Sequence, residues 1–207
     1  MRYAIAFGVL ALGVYACSTK DTKAPQTASA NSTRALEFLG ARVNDPLDSA
    51  RKNCGYFFKD TSISEQTCMV NTQPKIGDVR IKNMMKTYLD RKLISWGFDF
   101  DFADYGLLVT AFTTKYGVPD SAYSGVAQMP EDRGRFGYEG KYWTFADGRL
   151  GISREKGEDG HGAAQVLAEG RVGIAEFRRR STAAKAAKEA AAAASVVRDL
   201  GAPTKTP

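Results

Sequence analysis

Apolar and polar residues alternate without a break over Phe98-Asp99-Phe100-Asp101-Phe102. That is the period of a strand with one dry and one wet face. It closes a predicted hairpin of Met84–Leu89 and Leu93–Phe102, joined around Asp90-Arg91-Lys92, with Val79-Arg80-Ile81 as a strand before it. Asp104 then opens a helix that runs to about Tyr116. Its apolar stripe is Tyr105, Leu108, Phe112 and Tyr116, and Gly117 and Pro119 end it. Residues 120–137 read as a loop. Tyr138–Ala146 and Arg149–Arg154 form a second hairpin on an Asp147-Gly148 turn. Asp159-Gly160-His161-Gly162 reads as a turn and Arg171–Phe177 as the last strand. Nearer the start, Ala35–Gly40 fits a short strand or turn. Asp45 and Pro46 start a short helix that puts Leu47, Ala50 and Cys54 on one face and stops at Gly55. Tyr56-Phe57-Phe58 and Cys68-Met69-Val70 read as two short strands around a polar turn, 59–66.

From Arg178 to about Asp199 the residues are almost all helix formers, with little apolar surface to dock. A helix opening on Arg178, Arg179 and Arg180 runs against its own dipole. The expected class is α+β: an antiparallel sheet of five to seven strands with two packed helices, plus a solvated Ala-rich C-terminal helix. Trp96 and Trp143 fall where sheet aromatics enter a core.

The first residues follow a different pattern. Met-Arg precedes an apolar run, Tyr3–Ala16, which is too short for an easy span of about 20 residues and has the parts of a secretory signal. Val14-Tyr15-Ala16-Cys17 resembles the lipobox of bacterial lipoproteins. The resemblance implies cleavage before Cys17, acylation of that cysteine and anchorage of the chain to a membrane through its N-terminal lipid. Ser18, where an Asp would retain the protein, resembles the outer-membrane sorting pattern. The implied location is the bacterial outer membrane, facing the periplasm. Residues 18–33 hold no large apolar side chain. They read as a flexible tether that reaches roughly 50 Å when extended. The chain thus divides into a signal (1–16), a lipidated tether (17–33), an α+β domain (34–177) and a basic helix with its tail (178–207).

The 29 Lys and Arg exceed the 23 Asp and Glu, for a net charge of +6. That excess is too modest and unfocused for a nucleic-acid binder and better suits an envelope protein or an anionic envelope polymer. Once Cys17 is assigned to the lipid, Cys54 and Cys68 remain. An oxidising compartment favours a disulfide between them, worth roughly 3 kcal/mol for a loop of about 15 residues. The alternatives are a redox pair, which usually has closer spacing, and half a zinc site, which needs more ligands than the chain offers.

Lys115-Tyr116-Gly117-Val118-Pro119, followed by Tyr142-Trp143-Thr144-Phe145-Ala146-Asp147-Gly148-Arg149-Leu150, resembles a helix stop and Trp hairpin found in small bacterial and prophage lipoproteins of uncharacterised function. Leu39-Gly40-Ala41, Asn44-Asp45-Pro46-Leu47 and Cys54 are similar to the start of such proteins. The likeness covers roughly residues 36–155. A weaker likeness is to the small lipoprotein of the outer-membrane barrel-assembly machinery. There Leu-Gly stands in place of Tyr116-Gly117, and the first helix and the disulfide are additional here, so that role is not carried over. These motifs imply a fold type and transfer no catalytic residue.

Candidate chemistry is sparse. His161, the single histidine, sits between glycines in a turn, with no Gly-x-Ser-x-Gly elbow in the chain. Asp99 and Asp101 share a strand face with Asp104 just beyond. They are compatible with paired carboxylates or a weak calcium site, and better explained as the wet face of a strand. Gly134, Gly137 and Gly140 alternate with Arg133, Arg135 and Tyr138 but lead into a strand, where a phosphate cradle would lead into a helix. The candidate binding surface is therefore Arg133, Arg135, Tyr138, Arg178, Arg179 and Arg180, with no metal, cofactor or catalytic set expected. The expected function is a non-catalytic, lipid-anchored envelope protein, of the superinfection-exclusion type if phage-related. Inhibition of a cell-wall hydrolase is the alternative, and hydrolysis the weakest reading. The lipobox has a direct readout in the intact mass of membrane-extracted protein. The mass should begin at Cys17 and include a diacylglycerol, and Cys17→Ala should abolish that addition.

Overall fold

The computed structural model describes residues 33–50, 53–71, 75–128, 135–157 and 162–201. The expected signal, residues 18–32 of the tether, and Cys17, Arg133 and His161 lie outside the described residues. The chain is α+β. Its main sheet has eight strands, one more than the upper expectation, all antiparallel. In chain order these are β3 (Cys54–Asp60), β4 (Glu65–Val70), β7 (Lys82–Leu89), β8 (Lys92–Phe100), β9 (Ser121–Gln128), β10 (Arg135–Thr144), β11 (Gly148–Gly157) and β12 (Gly162–Gly170). Their spatial order is β3-β4-β7-β8-β12-β11-β10-β9. Two small ribbons, β1 (Glu37–Phe38) with β2 (Ala41–Arg42) and β5 (Lys75–Ile76) with β6 (Val79–Arg80), flank it. The helices are α1 (Leu47–Ala50), α2 (Tyr105–Tyr116) and α3 (Arg171–Gly201).

Local chemistry sets the hairpins. Asp90 and Arg91 both have positive φ, 49° and 63°, which makes the two-residue turn that matches strand twist. Each strand of that hairpin carries an extra residue where the register shifts, Asn83 (φ 44°) in β7 and Ile94 in β8. Cys54 and Cys68 form a disulfide with Cα atoms 5.5 Å apart, which ties edge strand β3 to β4.

The main core lies on one face of the sheet. Trp96, Phe98, Trp143, Leu150, Ile152, Val166 and Ala168 line it, under Tyr105, Leu108, Phe112 and Tyr116 of α2. The predicted helical stripe is thus the packing stripe. Phe112 meets Trp143 and Phe38 edge-on, at ring-centre distances of 5.8 and 5.6 Å. Each tryptophan also satisfies its polar atom inside the core. Trp143 Nε1 donates to the Gly117 carbonyl (2.8 Å), fixing the end of α2. Trp96 Nε1 donates to the Phe38 carbonyl (2.9 Å), fixing the first ribbon.

Four expectations are corrected. Residues 120–137 are not one loop: they include β9 and the start of β10. Cys54 opens a strand instead of ending a helix, because α1 has a single turn. Arg171–Phe177 is the first part of α3, not a strand. The last strand is β12, whose inward residues Ala164, Val166 and Ala168 are too small to mark it clearly. Because α3 starts at Arg171, Arg178–Arg180 lie two turns inside it and do not burden its N-terminus.

Trp143→Ala removes the largest core side chain beneath α2. It should cost about 3–5 kcal/mol in chemical denaturation, with the N-terminal turn of α2 less affected than the Tyr116 end in hydrogen exchange.

The open face of the sheet

The register shows what stands on the other face. Odd-numbered residues of β9 lie opposite even-numbered residues of β10, and this order carries across the sheet. One row reads Tyr123, Gly140, Ser153, Gln165, Asp99. The next reads Ser121, Tyr142, Gly151, Leu167, Gly97, Met85, Met69, Tyr56. Rows are about 7 Å apart, and neighbours within a row about 4.8 Å. Leu167, near the centre, is 37 % exposed, and Tyr56 and Phe58 at the β3 edge are 60 % and 51 % exposed.

The tyrosines lie over the sheet because glycines make room. A Cβ on Gly140 would come within 2.5 Å of the Tyr123 ring. One on Gly151 would come within 2.6 Å of the Tyr142 ring, and one on Gly125 within 2.5 Å of the Tyr138 hydroxyl. Each glycine is the register partner of the tyrosine that covers it. This is aromatic cover of a strand glycine. The rings then run together. Tyr123 stacks on Tyr142 (5.5 Å, 21°) and meets Tyr138 at 6.0 Å, and Tyr138 meets Phe136 at 6.1 Å. Arg149 caps the run 5.1 Å over Tyr142 and pairs with Glu169 (2.6 Å), whose side chain is mostly buried. Burial, together with the neighbouring Tyr142 hydroxyl, raises the Tyr123 phenol above its ordinary value. Tyr123 thus stays neutral at physiological pH.

The polar part of the face adjoins this ladder. Ser153, Gln165 and Asp99 follow Tyr123 in the same row. Asn83 Nδ2 donates to Asp99 Oδ2 (3.0 Å). Asp101 pairs with Lys82, so the two carboxylates expected on a wet face have separate partners. Among the described residues no group of three or more His, Cys, Asp or Glu is placed to hold a metal, and no helix is long and apolar enough to cross a membrane.

The expected binding residues are dispersed. Tyr138 belongs to the ladder. Arg135 stands exposed at the start of β10, at the end of that strand away from α3. Arg178 reaches Glu169 (3.7 Å), Arg179 holds Glu176 (2.7 Å), and Arg180 holds Asp90 and Glu176 (2.7 Å each). Arg180 also donates to the Ile63 carbonyl (3.3 Å). These arginines pin α3 across the tips of the β7–β8 and β3–β4 hairpins. The ladder residues Tyr123 and Tyr142 escaped the sequence reading, although a signal was present. Tyr123-Ser124-Gly125 and Tyr138-Glu139-Gly140 repeat Tyr-x-Gly, and antiparallel pairing then sets each tyrosine opposite the other strand's glycine.

Comparison with protein-family models, curated proteins and solved structures finds no match to the chain.

Hydrogen bonds from Arg179 and Arg180 hold the Glu176 carboxyl at about 2, and Arg180 likewise lowers that of Asp90. A carboxyl lowered on folding stabilises the fold above its ordinary value, and this stabilisation is lost as pH falls through the lowered one. Docking of α3 should therefore weaken between about pH 4.5 and 2. Hydrogen exchange in 173–184 should rise in that window before it rises in β8 and β12.

Proposed function

We propose that this chain is a lipid-anchored, non-catalytic binding protein of the bacterial envelope, and that its partner lies on the open sheet face. The observation that carries the reading is the ladder itself. Four aromatic rings, Tyr142, Tyr123, Tyr138 and Phe136, lie side by side on a sheet face whose central Leu167 is exposed. Broad aromatic surfaces beside polar groups are what recognition sites use. The lipobox-like Val14-Tyr15-Ala16-Cys17 and the polar stretch 18–33 supply the anchor and the reach. Inhibition of a cell-wall hydrolase is a second form of the same activity. It finds less support, since residues 121–137, the segment expected to enter a hydrolase cleft as a loop, include β9 and the start of β10.

Photo-crosslinking from the full chain in cells tests this reading. A photoreactive residue at Leu167 should give a discrete adduct, while one at Leu107, exposed on α2 in the other layer, should not. Adducts of equal yield from both positions, or none from Leu167, would overturn it.

A further inference from the structure

We propose that the open face is a glycan site: the Tyr142–Tyr123–Tyr138 ladder stacks on pyranose rings while Ser153, Gln165 and Asp99 bind their hydroxyls. The inference rests on the envelope-binding reading and names its ligand class. It begins with the shape of the ladder. Tyrosine rings laid over glycines keep an outer side for a partner. A ring face takes the apolar C–H face of a sugar as it takes other flat partners, without reading sequence.

The second observation is independent of the rings. The row that begins at Tyr123 continues through Ser153, Gln165 and Asp99. Together these offer a hydroxyl, a carboxamide with both donors and acceptors, and an acceptor-only carboxylate. Vicinal sugar hydroxyls, each a donor and an acceptor, are matched by such a set. Asn83 holds the Asp99 carboxylate from one side, so its orientation is fixed before a ligand arrives.

The third observation is charge. The register places Asp60, Glu65, Asp99, Glu155 and Glu169 on this face against Arg149, Lys82 and Lys92. Arg149 is already paired with Glu169, and Lys82 with Asp101. Among the described residues acidic side chains thus outnumber basic ones on this face, which argues against nucleic acid and against a phosphate-rich polymer. A neutral or weakly charged sugar chain meets no such obstacle. A protein partner would use the rings as anchors but has no particular need for the Ser-Gln-Asp row.

The test is a titration of the full chain, in detergent, with chitohexaose, cellohexaose and maltohexaose, and sedimentation with isolated peptidoglycan sacculi. At least one glycan should bind. Its contacts in NMR should fall on β9–β12 of the open face. Tyr142→Ala should weaken binding about tenfold or more, and Tyr142→Phe much less. Gln165→Ala, an exposed substitution that leaves the ladder intact, should also weaken it several-fold and so guards against a misfolded Tyr142→Ala. Binding to none of the four, or binding unchanged by both Tyr142→Ala and Gln165→Ala, would overturn the glycan inference. If Leu167 then still crosslinked to a protein, the envelope-binding reading would survive and only the ligand class would fall. If Leu167 also gave no adduct, both would fall.

Discussion

The sheet is too wide for its cover. Eight strands span about 33 Å, while twelve-residue α2 is about 18 Å long. Helix α2 and the N-terminal ribbon together cover one face, and the core residues point there. The other face has to be compatible with water, yet its strands still need side chains that hold neighbours together. Tyrosine over glycine meets both demands. Each ring hides apolar area against the sheet and sets a hydroxyl on its open face. Tyr142 and Tyr123, for example, face each other hydroxyl to hydroxyl at 3.5 Å. The arrangement that stabilises β9 and β10 is therefore the one that makes the surface a stacking platform.

Two buried indoles hold the dry layer in register. Trp143 binds the carbonyl that ends α2 and Trp96 binds that of Phe38. Asp147, in the turn after β10, accepts from Leu36 N (2.7 Å) with its carboxylate and from Arg171 N (2.8 Å) with its carbonyl. One turn thus meets both the start of the domain and the start of α3. From there α3 crosses the hairpin tips on arginine pairs, and from Lys185 to Val196 every residue is exposed. The ion pairs place the helix beside Glu169, whose other partner, Arg149, caps the Tyr142 end of the ladder.

How much of this was legible follows from side-chain size. Strands β7, β8, β10 and β11 and helix α2 announce themselves because large apolar residues recur at their periods. Tyr105, Leu108, Phe112 and Tyr116 are the buried face of α2 as the spacing required. β12 was lost because its inward residues are Ala164, Val166 and Ala168, a pattern that a helix tolerates equally. β9 was lost because its only apolar inward residue larger than alanine is Val126, which remains 59 % exposed. This edge strand is held from its outer face. The platform was half visible. Tyr138 and Asp99 stood out singly, but only cross-strand register brings them into a surface with Tyr123, Tyr142 and Gln165. The three arginines looked like a site because their partners, Glu169, Asp90 and Glu176, are set against them by the helix and the fold.

A binding role for the outer face requires that it stay uncovered in the full chain. Thiol labelling along β12 measures that most directly. Gln165→Cys and Leu167→Cys should react at close to the rate of an exposed thiol, and Val166→Cys and Ala168→Cys should react only as fast as the domain unfolds. If Gln165→Cys and Leu167→Cys were protected as strongly as Val166→Cys, another part of the chain would cover the face, and the platform would be a second core instead of a binding surface.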